Sequence, residues 1–259
     1  MLDALIVKPG SAAKLRDRDA RDTLGLAGKD EAAAKHATLL AELAELQERL
    51  YAESKRSILL VLQGLDASGK DGTIKHVFTG LNPQGCRVSS FKAPTPVELA
   101  HDFLWRVHAQ CPERGMIGIF NRSHYEDIVT VRVLGLVPPA VWKARPQRVN
   151  EFEELLAGDG TTVLKCFLHV SQEEQAARLA ERVSDPTKEW KSNPKDLETN
   201  KRFDEFTAAY DDALAATSTK SAPWYVIPAD RNWVRNFAVT TVLIHALRKL
   251  DPQFPVLSR

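Results

Sequence analysis

The chain has 259 residues, of which 44% are hydrophobic and 27% charged, with 13 glycines, 14 prolines and a formal net charge of +1. That profile fits a soluble globular protein of one large domain with a sizeable core. It excludes a protein that meets polyanions through bulk charge, so any such partner needs a local cluster of bases.

The opening MLDALIVKPGSAAKLRDRDARD meets charge early and does not read as a signal peptide. No stretch approaches the apolar length of a membrane span. Cys86, Cys111 and Cys166 are odd in number and have no histidines at metal-ligand spacing, which reads as reduced thiols in a cytoplasmic protein. Residues 1–30 read as an arm or loops, and 31–259 as a single domain. Leu39, Leu40, Leu43, Leu46 and Leu50 fall on one face of a helix. The stripe is shorter than sustained heptads and fits packing on its own domain, with a dimerisation helix as the alternative.

Strands and helices then alternate. SILLVLQ (57–63) is a short apolar strand of the buried parallel kind, and GKDGTIKHVFTGL (69–81) has helical spacing. CRVSSF (86–91) predicts a strand, 97–110 a helix and MIGIFN (116–121) another strand. Helical pattern runs from Tyr125 and again over 141–157, broken near Pro146. TTVLKCFLHV (161–170) is a strand, and 171–183 a helix opened by Ser171 and Glu174 in capping-box order. A helix through Asp204 and Tyr210, a strand at 223–229 and a helix at 232–250 complete the chain. This alternation predicts a doubly wound α/β fold with about five parallel strands and no internal repeats. Residues 184–199, rich in lysine and proline, are the candidate lid.

Gly64 through Lys70 fits the G-x-x-x-x-G-K phosphate loop in its required setting of strand, loop and helix. Gly64 and Gly69 let backbone N–H groups approach an anion, with Ala67 and Ser68 completing the loop. The helix starting near Gly69 adds its positive end, and Lys70 can reach a phosphate oxygen. Asp71 stands where the motif wants a hydroxyl for Mg²⁺, with Gly72 and Thr73 after it. A carboxylate there suits the helix dipole, and Thr73 could supply the hydroxyl instead. Asp66, an acid inside the loop, is the first choice for a metal ligand.

A second cluster, IGIFNRSHYED (117–127), lies at a strand's carboxyl end, where open α/β sheets bind ligands. Arg122 can neutralise phosphate charge there. Glu126 and Asp127 can hold metal or face the nucleotide, or simply start a helix. Asn121 occupies the position where a P-loop enzyme usually has an aspartate. Arg178 and Arg182 share a helix face and, with Lys188 and Lys191, could close over a polyanion; a solvated face is the plain alternative. Lys92, at another strand end, suits an acceptor phosphate.

Together GLDASGKDGT, FKAPT, IGIFNRSHYED, DPTKEWKSNPKDL and APWYVIPAD resemble the family-2 polyphosphate kinases, in that family's order and spacing from about residue 30 onward. The resemblance implies a thymidylate-kinase-like P-loop fold with a lid. It also implies reversible phosphoryl transfer between inorganic polyphosphate and a nucleotide, with Mg²⁺ or Mn²⁺. Asp66 then matches the metal-binding aspartate, Lys70 the loop lysine and Arg122 the phosphate-contacting arginine, so the expected catalytic set is Asp66, Lys70, Arg122 and Glu126. Lys92, Asn121, Glu126 and Asp127 would serve the nucleotide. Lys75, Arg178, Arg182, Lys188 and Lys191 would serve polyphosphate, and Asp66 with Asn121 the metal. Asn121 and Glu126 resemble the branch that accepts both AMP and ADP. Self-association into a dimer or tetramer is expected, without nucleic-acid or membrane partners. The rival readings are an ATP-dependent nucleoside monophosphate kinase, which would want Ser or Thr after Lys70, and a non-catalytic binder, which needs no acids at a reacting centre.

Overall fold

A computed structural model describes residues 1–187, 190 and 199–256. Its centre is β2 (Ser57–Gln63), whose seven residues are all buried. Strands buried on both faces read as unbroken apolar runs, which is why SILLVL shows no alternation. Parallel partners flank β2 on either side: β4 (Ile117–Asn121), with Leu60 opposite Ile119, and β5 (Thr161–His169), with Leu60 opposite Leu164. Outside these lie β3 (Cys86–Ser90), parallel to β4, and β6 (Trp224–Pro228), parallel to β5.

The five expected parallel strands are all present, and a sixth joins them. β1 (Ile6–Val7) adds antiparallel to β6, giving the order β1-β6-β5-β2-β4-β3. Two residues are too few for a sequence period. α1 (Leu2–Leu5) precedes it, and Leu5, Val7, Ala13 and Leu15 are buried in the common core.

The leucine stripe lies on α2 (Lys29–Glu53), where Leu43, Leu46 and Leu50 are buried. That face packs along the C-terminal helix of the sequence pattern, residues Asn232–Leu250, within the same domain. Between β2 and β3 runs α3 (Lys70–Val77). The expected helix over 97–110 is instead two single turns, α4 (Pro96–Leu99) and α5 (Trp105–His108). Thr95 and Glu98 form a complete capping box on the first turn. The Asp102 carboxylate then accepts from Leu104 N–H at 2.9 Å, a local turn that competes with helix continuation.

α6 (Glu126–Val133) follows β4, and α7 (Pro139–Gly158) runs unbroken through Pro146. The expected break does not occur. Proline removes one backbone donor, to the Trp142 carbonyl in a part-exposed turn, while Val149, Phe152 and Leu156 hold the helix to the core. α8 (Gln172–Ser184) starts under the Ser171 hydroxyl, which accepts from Glu174 N–H at 3.2 Å. α9 (Phe203–Thr217) and α10 (Asn232–Leu250) complete the helical layers. No helix among the described residues is long and apolar enough to cross a membrane.

Candidate active site

β2 ends at Gln63 and α3 begins at Lys70, so the glycine loop spans the carboxyl end of the central strand. Two non-glycine residues there hold left-handed backbone: Ala67 in the loop and Arg122 after β4, both with φ of 61°. Such conformations are uncommon away from glycine and cluster at functional sites. Arg122 is pinned by its N–H, which donates to the Leu62 carbonyl at 3.1 Å.

Lys70 folds back into the loop. Its ammonium donates to the carbonyls of Gly64 at 2.6 Å and Leu65 at 3.1 Å. Burial and the nearby Arg122 charge lower its pKa to about 8, against the pull of Asp66, Glu126 and Asp71. Arg122 forms an ion pair with Asp66. Burial opposes its charge, but the carboxylates of Asp66 and Glu126 outweigh that and raise its pKa. Asp71 accepts from the Asn121 amide at 2.8 Å, joining the first turn of α3 to the end of β4. The Thr73 hydroxyl, expected as an alternative metal ligand, donates to the Gly69 carbonyl at 3.1 Å and the residue is buried. Thr73 therefore serves the helix.

A cavity of about 690 Å³ opens over this loop. It brings together Asp66, Lys70, Asp71, Asn121 and Arg122 with Lys92 on one flank and Arg178 and Arg182 on the other. Arg178 is firmly held: Nη1 donates to the Ala67 carbonyl at 3.0 Å, and Nη2 to those of Ala229 and Asp230 at 2.8 Å. It thus fastens the loop while contributing charge.

Of the predicted residues, Gly64, Ser68 and Thr73 of the loop lie beneath the cavity wall, and Glu126, Asp127 and Lys75 are also not on it. Glu126 accepts from the Thr130 hydroxyl at 2.6 Å, and the Gln63 amide, oriented to satisfy both its ends, donates to it at 3.1 Å. From there it acts on Arg122 and Lys70 by charge. Asp127 points elsewhere, 3.5 Å from Arg106 and 3.6 Å from Arg145. Burial raises its pKa despite these two cations. Arg106 in turn donates to the Lys92 carbonyl at 2.8 Å, so Asp127 reaches the site through the Lys92 loop and not by contact. Lys75 is exposed on α3 and does not line the cavity. Lys188 and Lys191, with most of the expected lid, lie outside the described residues.

Sequence reasoning missed Arg235, which lines the cavity from α10 although it is only 2% exposed. Its signal was a lone arginine within the apolar helix NWVRNFAVTTVL. Burial and the neighbouring Arg178 charge lower its pKa to about 9, which leaves it charged at neutral pH.

Comparison with known proteins bears directly on this geometry. The family model described as Polyphosphate kinase 2 (PPK2) matches residues 27–255. The chain belongs to the polyphosphate kinase 2 family. Within that family it is 50% identical over 250 residues to the AMP/ADP-polyphosphate phosphotransferase of Meiothermus ruber, covering 96% of this chain and 94% of the relative. It is 40% identical over 230 residues to the ADP-polyphosphate phosphotransferase of Rhodopseudomonas palustris, covering 84% and 80%. The crystal structure of polyphosphate kinase 2 from Arthrobacter aurescens TC1 superposes with a TM-score of 0.95 at 40% identity, covering 99% of this chain and 92% of that one. The α/β fold expected from the sequence, a mostly parallel sheet flanked by helices with a phosphate loop after its central strand, is thereby shown for this polyphosphate kinase 2 family member.

Proposed function

We propose that this protein catalyses Mg²⁺-dependent, reversible transfer of a terminal phosphoryl group from inorganic polyphosphate to AMP and ADP. The observation that carries the reading is a cavity centred on a phosphate loop and supplied with cations from both sides of the central strand. The names of its relatives, which specify polyphosphate and adenine nucleotides, support the same assignment.

The sheet order separates two sides. Ser90 ends β3 and Phe91 and Lys92 follow it, while Asn121 ends β4 and Arg122 follows it; Arg178 and Arg182 come after β5, and Asn232 and Arg235 after β6. Ligands of open sheets bind where strand order diverges, here at β2 between β4 and β5. The β3–β4 side offers a ring, an amide and single charges, which suits a nucleotide. The β5–β6 side offers successive guanidiniums, which suits a chain with charge at every unit. In-line transfer then occurs between them, over the loop.

Phosphoryl transfer asks the protein mainly for positioning and charge stabilisation. Lys70 must leave its carbonyl partners to meet phosphate oxygens, and Arg122, kept protonated by Asp66 and Glu126, can bear on the transferring group. The donor set fits a hard cation. Mg²⁺ typically takes one or two carboxylates and completes its shell with substrate phosphates and water. Among the described residues no cluster of three metal-binding side chains exists, and Asp66 and Asn121, both on the cavity wall, carry oxygen ligands of the right kind. When bound there, Mg²⁺ would neutralise charge on the phosphates.

The deciding experiment is ATP formation by purified protein given Mg²⁺, inorganic polyphosphate and either ADP or AMP. ATP from both acceptors is expected. If only ATP plus a monophosphate reacts, the donor assignment fails and the nucleoside monophosphate kinase reading takes its place.

A further inference from the structure

Arg235 has an unusual environment for a buried cation. Its Nη1 donates to Asn232 Oδ1 at 2.7 Å, its Nη2 and Nε to Asn236 Oδ1 at 3.1 and 3.3 Å, and Nη1 reaches the Ser68 carbonyl at 3.5 Å. All of these acceptors are neutral. Among the described residues no carboxylate pairs with it, and the charge that acts on it is another cation, Arg178. A buried charge without a counter-charge is costly, and such sites persist where a ligand completes them.

Its position is equally specific. The guanidinium lies across the first turn of α3 and lines the cavity. A Cβ on Gly69 would stand 1.8 Å from Nη1, and one on Gly72 would stand 3.1 Å from Nη2. Gly69 also needs glycine for its φ of 98°. Gly72 has no such backbone demand, so its missing side chain is explained by the room Arg235 takes. Glycine at position 72, next after the Asp71 that replaces the motif's hydroxyl, therefore leaves room for a cation from the last helix against the first turn of α3.

We propose that Arg235 binds the polyphosphate donor and not the nucleotide, and that Gly72 is glycine to admit it. This rests on the donor and acceptor sides assigned above. Arg235 comes from the β6 side with Arg178 and Arg182 next to it, whereas the acceptor side is built from β3 and β4. An arriving polyanion supplies the missing counter-charge, and charge-assisted hydrogen bonds from a desolvated guanidinium are strong and geometrically selective.

The test is calorimetric titration of the nucleotide-free protein with inorganic polyphosphate of defined length, and separately with ADP, for wild type, Arg235→Lys, Arg235→Met and Gly72→Ala. Arg235→Met should weaken polyphosphate binding by about tenfold or more, the scale of one lost charged hydrogen-bonding group, and leave ADP within about twofold. Arg235→Lys should lie between, and Gly72→Ala should reproduce part of the loss without touching the arginine. Thermal melts add a second readout. Ligand-free Arg235→Met should melt no lower than wild type, because an uncompensated charge is gone, yet gain less from added polyphosphate. A folded Arg235→Met that binds polyphosphate as wild type does, or loses polyphosphate and ADP equally, overturns the inference. If wild type itself binds no polyphosphate, the donor assignment falls first and takes this inference with it.

Discussion

Lys70 and Lys165 are both buried lysines, 8% and 0% exposed, yet their surroundings are opposite. Lys165 sits in the core with its charge answered: Nζ is 2.6 Å from Glu153 Oε2, 3.0 Å from the Tyr125 hydroxyl and 2.6 Å from the Thr217 carbonyl. Tyr125 donates to the same carboxylate at 2.7 Å, which ties the segment after Arg122 to the core. Lys70 has carbonyls for partners and shares its surroundings with Arg122. Burial alone does not mark a working cation. The want of a direct ion pair does: among the described residues no carboxylate is in contact with Lys70, and contact with an anion is what a phosphate brings.

The contrast is broken most sharply at Lys70. Lys70→Met should lower kcat for polyphosphate-driven transfer by about 10²–10³, the range seen when one preorganised donor is removed from a reacting centre. Its melting temperature should not fall. A variant that keeps near wild-type kcat would remove Lys70 from the mechanism. Lys165→Met should do the reverse. Stranding Glu153 costs about 3–5 kcal/mol in stability, to be read by denaturant unfolding. The double variant Lys165→Met/Glu153→Leu should recover most of that loss, and failure to recover would mean that the pair is more than a self-cancelling charge couple.

Asp66→Asn is expected to act next in size. It removes the carboxylate assigned to Mg²⁺ and leaves Arg122 without its partner, so the Mg²⁺ concentration for half-maximal rate should rise by about tenfold or more. An unchanged Mg²⁺ titration would exclude Asp66 as the ligand. The smallest effect is a pH dependence. With Lys70 at about 8 in the folded protein against an ordinary 10.5, the folded state sheds this proton before the unfolded one does. Below pH 8 the full cost of the buried charge is present, and it is relieved as pH rises toward 10.5, so this group makes ligand-free stability rise across that window. Polyphosphate affinity should fall over the same interval. Lys70→Met should flatten both slopes, and parallel slopes in the variant would assign them to another group.

Much of this architecture was legible in the sequence because it rests on local pattern. The apolar run of β2, the loop after it and the helix from Asn232 to Leu250 appear where periodicity and glycine spacing put them. The misses share a different cause. α4 and α5 are separated by a side-chain turn at Asp102, which hydrophobic spacing does not report. Asp127 looked like a site acid, but its direction is set by Arg106 and Arg145 on other elements. Arg235 reaches the loop only because α10 packs against α3; a lone arginine in an apolar helix marks the residue, but not the element it meets. The chain motif located the chemistry; long-range packing decided which charges attend it.

The short strand β1 has a consequence of a different kind. β6 would otherwise end the sheet as an apolar strand with free backbone donors and acceptors. Ile6 and Val7 pair with Tyr225 and Trp224, and beyond Pro228 the Asp230 N–H donates to the Ala20 carbonyl at 3.1 Å. Exposed edges of this sort recruit strands from other molecules. The segment before α2 thus shields the sheet from edge-to-edge aggregation, and a protein trimmed past Val7 should retain its phosphate loop while losing solubility.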